Sequence, residues 1–103
     1  MLINLRLLDL SSTKVSDISH LSNLIYLEDL NLENTLVVNI IPLLHLTSLK
    51  YLNLNNTKVF DISSLLHLTS LKILYLINTL VVDITCLSRL TPLRIIRYKP
   101  NTM

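Results

Sequence analysis

Apolar residues recur along the chain with a spacing of 22 residues, and polar residues keep the same register between them. The copies begin at Leu5, Leu27, Leu49 and Leu71, and a partial fifth copy begins at Leu93. Counted from these leucines, positions 1, 4, 6, 11, 14, 17 and 20 are aliphatic in all four complete copies. Such self-similarity is typical of repeat proteins. The length predicts a single domain over residues 1–103.

The period of the apolar residues changes within each copy. The LxL segment at positions 4 to 6 alternates, which predicts a strand with one buried face. Positions 14, 17 and 20 are three apart, which predicts a short helical or 3-10 segment. The residue before position 14 is able to cap that segment by accepting a backbone N–H bond: Asp17, Asn39, Asp61 and Asp83. A single copy buries too little surface to fold alone, so the copies are expected to stack.

A long amphipathic helix is the alternative interpretation, because 22 is twice the 11-residue period of some such helices. Lipid-binding helices of that kind carry a dense charged face. Charged residues make up only 16% of this chain. The Asn-Thr-x-Val-Val runs also favour bends and strands over helix. The repeat interpretation is therefore preferred.

The pattern LxxLxLxxTxVxDIxxLxxLxx resembles the 22-residue class of leucine-rich repeats, which includes the phosphatase-1 regulatory leucine-rich subunit and the bacterial internalins. The resemblance covers Leu5 to about Tyr98. It implies an α/β fold, a right-handed solenoid with a parallel sheet on the concave face and short helical or 3-10 segments on the convex face. It also implies a protein-binding scaffold. Thr replaces the family's Asn at position 9, so the turns are expected to differ in detail.

Positions 3, 5 and 7 of each copy point away from the core and are expected to line the concave face. Acidic residues lie at the N-terminal end of this face and Arg97 and Lys99 at the other, with Ile95 beside them. Tyr and Ile between the two ends predict a binding centre, since Tyr is enriched in interfaces. High β-propensity of these residues is the alternative explanation. The predicted protein-binding residues are Asp29, Glu33, Tyr51, Asn53, Ile73, Tyr75, Ile77 and Arg97.

Composition limits the partners and the location. A net charge of +2 is too small to indicate nucleic acid, despite a modest basic cluster near the C-terminus. No membrane partner is expected, because the longest uncharged stretch, 34–49, is too short and too polar to span a bilayer. No export signal is visible, and one Cys weakly favours a reducing compartment. We expect a cytoplasmic location, or secretion if the chain is part of a longer protein.

No motif of an enzyme, a cofactor site or a metal site is visible. The chain has no Gly and hence no Gly-rich phosphate loop. His45 and His67 share position 19 of neighbouring copies but lack a third ligand. Cys86 has no second Cys and is expected to be a partly buried small residue. The Asp residues before position 14 are better explained as caps than as a catalytic ladder.

Neither end of the repeat array has a long polar cap, so we expect either that the chain is a piece of a longer protein or that its ends self-associate. Val38, Phe60 and Val82 share position 12 and could add an apolar stripe at the side. The predicted function is a protein-interaction module that binds a partner through its concave face. The alternatives are a regulatory subunit of a phosphatase or similar enzyme, and a structural or recognition fragment of a larger secreted or viral leucine-rich repeat protein.

Overall fold

The structure, a computed structural model, describes residues 4–90 and 92–97. Five short strands form one parallel sheet in the order of the chain. The strands are β1 (Leu7–Asp9), β2 (Asp29–Asn31), β3 (Tyr51–Asn53), β4 (Ile73–Tyr75) and β5 (Arg94–Ile96). Each pair of successive strands is connected through a 3-10 helix: η1 (Ser19–Asn23), η2 (Ile41–Leu43), η3 (Ser63–Leu65) and η4 (Thr85–Leu87). Both predicted element types are therefore confirmed in the complete repeats.

The first four strands pair in the predicted register. Leu8, Leu30, Leu52 and Leu74 lie side by side across the sheet. Backbone bonds continue beyond the strands, as where the amide of Leu32 donates to the carbonyl of Asn53 at 2.9 Å. Because each of these bonds joins two repeats, one repeat alone cannot satisfy its own backbone.

The core is a column of aliphatic side chains enclosed between the sheet and the 3-10 helices. Leu52 and Leu65, one from each wall of the third repeat, are both fully buried. The column extends from Ile18 to Leu90 without a buried charged residue among the described residues. No buried side-chain nitrogen or oxygen in the described part of the chain lacks a hydrogen-bond partner. Among the described residues, no helix is long and apolar enough to cross a membrane.

A left-handed residue follows each of the first four strands and turns the chain towards the convex side. It is Ser in the first repeat and Asn in the others, with φ between 56 and 58°: Ser12, Asn34, Asn56 and Asn78. Asn tolerates this conformation better than most residues with a Cβ. In the fourth repeat, Asn78 Nδ2 also donates to Asn56 Oδ1 at 2.7 Å. The turns are thus linked from one repeat to the next.

Thr at position 9 closes each turn from inside its own repeat. The hydroxyl of Thr57 donates to the carbonyl of Leu54 at 2.8 Å, and Thr35 makes the same bond to Leu32. Both Thr residues are buried. A hydroxyl supplies one donor, so this turn is closed by fewer side-chain bonds than an amide side chain could supply.

The predicted caps are present before every 3-10 helix. The side-chain oxygen of Asp17 accepts the amide of Ser19 at 2.9 Å, and Asn39 accepts the amide of Ile41 at the same distance. Asp61 and Asp83 make the equivalent bonds to the amides of Ser63 and Thr85, at 2.9 and 2.8 Å. Each accepting residue lies two positions before the first helical residue and satisfies a donor with no intrahelical acceptor.

The fifth strand departs from the predicted spacing by one residue. Ile73 pairs with Arg94, Leu74 with Ile95 and Tyr75 with Ile96, whereas the repeat predicts Ile95, Ile96 and Arg97 at those positions. The amide of Leu93 still donates to the carbonyl of Leu90, as at the start of the earlier repeats. The last repeat therefore has one residue fewer than the others between its first residue, Leu93, and its position-4 residue, Ile95.

The predictions that Arg97 and Ile95 lie on the concave face are therefore wrong. Ile95 packs against the core, and Arg97 follows it at the next inward position. Arg97 Nη2 donates to the carbonyls of Val81 and Val82, at 3.4 and 3.2 Å. A guanidinium group needs acceptors when water is partly excluded, and the turn of the fourth repeat provides them. Lys99, the other predicted basic residue of that face, lies outside the described residues.

Candidate functional site

The concave face is formed by the outward side chains of β1 to β4 and of the residues that follow each strand. Position 3 places Asp29, Tyr51 and Ile73 side by side across three strands. Tyr51 is 38% exposed although its neighbour Leu52 is fully buried, as strand alternation requires. Position 5 places Asn53 beside Tyr75. The strands thus bring five of the eight predicted residues onto one surface, and Glu33 and Ile77 follow β2 and β4 at its edge.

The N-terminal half of this surface is largely satisfied by its own hydrogen bonds. The side-chain oxygens of Asp9, Asn31 and Asn53 each accept the amide two residues further on, all at 2.9 Å. Asn53 Nδ2 also donates to Glu33 Oε1 at 3.1 Å. Both Glu33 and Asn53 were predicted to bind a partner. Their mutual bond stabilises the sheet face and competes with that role.

This pattern of side-chain bonds changes at Tyr75. A phenol ring at position 5 has no short side-chain oxygen to accept the amide of Ile77. That amide donates instead to Asn55 Oδ1 of the third repeat, at 2.7 Å. The apolar side chains of this part of the face are those of Tyr51, Ile73, Tyr75 and Ile77, and Asn53 lies beside Tyr75 at their border. We call the four apolar residues the concave patch.

A shallow groove of about 370 Å³ crosses the sheet at the concave patch. Its lining combines a carboxylate, amides, phenols and aliphatic groups: Asp29, Asn31, Tyr51, Leu52, Asn53, Ile73 and Tyr75. Phenol groups offer a large contact area and one polar group each, which suits recognition of a protein segment. The groove lining contains no Ser, Thr, Cys, His or Lys.

The side-chain charge on the sheet changes from negative at the N-terminal end to positive at the C-terminal end. Arg94, and not the predicted Arg97, carries the positive charge. Asp9 lies at the N-terminal end, where bonds from Ser11 hold the pKa of its carboxyl below the ordinary value. At the amino ends of the strands, Glu28 Oε2 pairs with Arg6 at 2.7 Å, and Glu28 Oε1 lies 3.7 Å from Lys50. Arg94 is exposed at the first position of β5. Arg94 therefore supplies the positive end of this face in place of Arg97.

The remaining candidate residues do not form a site. His45 and His67 are exposed on the convex side. Burial and the nearby Asp83 carboxylate raise the pKa of the Cys86 thiol, which makes it a poor nucleophile. Within residues 4–90 and 92–97, no group of three His, Cys, Asp or Glu residues could hold a metal ion.

One surface was only partly predicted from the sequence. Val38, Phe60 and Val82 are exposed as expected, and three further apolar side chains extend the stripe that they form: Leu36, Ile41 and Leu80. Leu36 and Leu80 occupy position 10, where the other two repeats carry Lys. The alternation of Lys and Leu at position 10 is the sequence signal that could have indicated these two exposed leucines.

The fold has close relatives among solved bacterial structures. Internalin C2 of Listeria monocytogenes superposes with a TM-score of 0.80 and 28% sequence identity, over 95% of this chain and 53% of that one. An internalin, InlF, of the same species gives a TM-score of 0.69 and 27% identity, over 95% and 36%. The functional domain of InlJ, which includes a cysteine ladder, gives 0.59 and 19%, over 94% and 25%. At that identity, InlJ supports the fold alone.

No protein-family model and no curated protein matches the chain. The parallel sheet, the 3-10 helices and the internalin likeness together define the class of protein: the chain is a leucine-rich repeat protein with an α/β solenoid fold. Such a fold is a protein-interaction repeat module. The chain spans about half the length of internalin C2 and less of the other two.

Proposed function

We propose that this protein binds a partner protein through the concave patch and performs no catalysis. The observation that carries the proposal is the change at position 5. Up to Asn53, each position-5 side chain accepts the backbone amide two residues further on, whereas Tyr75 does not. In the third and fourth repeats, the rings and aliphatic group of Tyr51, Tyr75 and Ile73 line a groove on the same face.

Energetics favour this half of the face over the other. A partner that covers Tyr51 and Tyr75 removes apolar surface from water, worth roughly 25 cal/mol per Å². A partner that covers Asn53 and Glu33 must compete with a bond they already make. Asp29 on one side and Arg94 on the other would orient a partner of complementary charge.

The experiment is a comparative capture with a variant taken from the chain's own repeats. Position 5 is Asn in the second and third repeats, and position 7 is Asn in the third. The double variant Tyr75→Asn, Ile77→Asn should therefore fold, with a stability change within about 0.5 kcal/mol. We expect it to lose proteins that the unaltered chain captures, because the patch loses its apolar contact area.

Ile25→Thr is the matched control, since Ile25 is exposed outside both the concave face and the other apolar surface, and Thr stands at this position in the other three repeats. The proposal predicts that this control keeps the captured proteins. If both variants keep every protein, the concave patch is not the binding surface. Mass spectrometry of the captured proteins also tests the phosphatase alternative, which requires a phosphatase subunit among those lost with the double variant.

The location and the larger context remain predictions. The likeness to internalins does not support the cytoplasmic location expected from the sequence. It is compatible with the alternative of a recognition segment in a longer secreted protein. Fractionation of the native host, followed by detection with an antibody to this chain, distinguishes the two locations.

A further inference from the structure

The side of the solenoid, between the turns and the 3-10 helices, carries more exposed large apolar side chains than the concave face. Of the ten exposed large apolar side chains in the described residues, six lie here. Phe60 is 61% exposed and Val82 84%, against 38% for Tyr51. We call these six residues the lateral stripe: Leu36, Val38, Ile41, Phe60, Leu80 and Val82.

The fold does not require apolar residues at these positions. The first repeat carries Ser16 where the others carry Val38, Phe60 and Val82, and its helix η1 is capped in the same way as the others. Position 12 also lies outside the strands, so β-propensity offers no explanation for it. Exposed apolar side chains that neither pack nor pair in the fold indicate an interaction surface.

Phe60 forms a ridge between two grooves. One groove, of about 430 Å³, lies towards the fourth repeat and includes Leu80, Val82 and Cys86 in its lining. The other, of about 240 Å³, lies towards the second repeat and includes Val38 and Ile41. Two apolar side chains of one partner segment could therefore lie on either side of the Phe60 ring.

The charged side chains that line the two grooves beside Phe60 are negative, and Lys58 lies between Leu36 and Leu80 at the edge of the stripe. Asp61 lines both grooves and Asp83 lines the larger, and neither lining contains Lys, Arg or His. Backbone and hydroxyl bonds to Oδ1 hold the pKa of both carboxyls below the ordinary value, so both are ionised at neutral pH. Arg97 at the end of the array offsets part of the charge at Asp83. Asp61 forms no salt bridge with a described residue.

We propose that the lateral stripe binds a cationic amphipathic segment of a partner protein. Its apolar side chains would occupy the grooves beside Phe60, and its Lys or Arg side chains would pair with Asp61 and Asp83. Apolar ridges and grooves bordered by carboxylates, with no cation in their lining, complement that chemistry and oppose an anionic segment. The concave patch is a different surface, so both can be occupied at once.

The probe is a fluorescein-labelled peptide of about 14 residues with Leu and Lys at helical spacing, and the matched peptide has Glu in place of Lys. Binding to the full chain is measured by fluorescence anisotropy. We expect the Lys peptide to bind and the Glu peptide to bind at least about tenfold more weakly, a difference of 1.4 kcal/mol or more.

The variants again come from the chain itself. Phe60→Ser copies Ser16, and it should weaken the Lys peptide about tenfold by removing the ridge. Asp61→Asn with Asp83→Asn copies the Asn39 cap, which accepts the same backbone bond at 2.9 Å without charge. This pair should weaken binding about threefold at about 50 mM salt and much less at about 500 mM. The concave double variant Tyr75→Asn, Ile77→Asn should bind the Lys peptide as the unaltered chain does.

Several outcomes would overturn the proposal. They are equal binding of the two peptides, full binding by Phe60→Ser with an unchanged melting curve, or loss of binding in the concave double variant. Sedimentation of the chain alone tests a second copy as the occupant. A concentration-dependent dimer that Phe60→Ser abolishes would assign the lateral stripe to self-association instead. Because the concave variant is tested separately, this proposal and the concave proposal can fail independently.

Discussion

The middle repeats and the terminal repeats place the same residue types at the same positions but bury them to different extents. Leu30 and Leu52 are fully buried at position 4 of the second and third repeats. Leu8 in the first repeat and Ile95 in the last are only partly buried at that position. Within the described residues, each terminal repeat packs against a neighbouring repeat on one side only. Burial is therefore a property of a repeat's place in the stack, and stability depends on neighbouring repeats.

The test with the largest expected effect compares Leu52→Ala in a middle repeat with Leu8→Ala in the first repeat. Leu52 is enclosed on both sides, so its loss should leave a cavity and lower the free energy of unfolding by about 3–5 kcal/mol. Leu8 is only partly buried, so the same change should cost about 1–2 kcal/mol. Urea unfolding followed by circular dichroism measures both values. Equal losses would mean that the terminal repeat is as tightly packed as the middle, and the comparison would fail.

The Thr hydroxyl groups in the turns test the same comparison between middle and terminal repeats, with a smaller expected change in the free energy of unfolding. Thr57 is buried and donates to Leu54, while Thr13 is exposed and donates to Leu10 at 2.7 Å. Thr57→Val should cost about 1 kcal/mol, because a buried carbonyl loses its side-chain donor. Thr13→Val should cost less than about 0.5 kcal/mol, since water can replace the hydroxyl there. The paired variants are compared by urea unfolding, and a larger loss for Thr13→Val would contradict the burial argument.

Spacing alone predicts the sheet through β4, but not the position of β5. The recurrence of Leu fixes three strand pairings, because shifting one strand by one residue would expose its leucines. At β5, two adjacent residues, Ile95 and Ile96, can both fill an aliphatic position. The hydrophobic pattern therefore permits either register. The structure selects the one that leaves Arg97 within reach of the Val81 and Val82 carbonyls.

The sequence predicts which positions line the candidate site, but not which of their side chains are already bonded to one another. Alternation along β2 to β4 correctly places Tyr51, Ile73 and Tyr75 on the outer face. The bond between Asn53 and Glu33 depends on side-chain geometry between two repeats, which spacing does not encode. Binding of a partner by Asn53 and Glu33 stays a prediction, and their mutual bond is what the sequence does not reveal.

The test with the smallest expected effect compares the uncharged cap of the second repeat with the carboxylate caps of the other three repeats. Asn39 carries no charge, whereas Asp17, Asp61 and Asp83 cap with carboxylates whose pKa values are held below the ordinary value, chiefly by the backbone bonds they accept. A depressed pKa in the folded state stabilises the fold above the unfolded pKa near 3.8, and that stabilisation is lost as the pH falls through the folded pKa.

We therefore expect the triple variant Asp17→Asn, Asp61→Asn, Asp83→Asn to show a shallower fall in melting temperature than the unaltered chain as the pH drops below about 4. The reverse change, Asn39→Asp, should make the fall steeper by adding a fourth titrating cap. Melting curves at a series of pH values measure both slopes. Parallel curves for all three proteins would show that the caps contribute no pH-dependent stability, and that the second repeat does not differ from its neighbours in this respect.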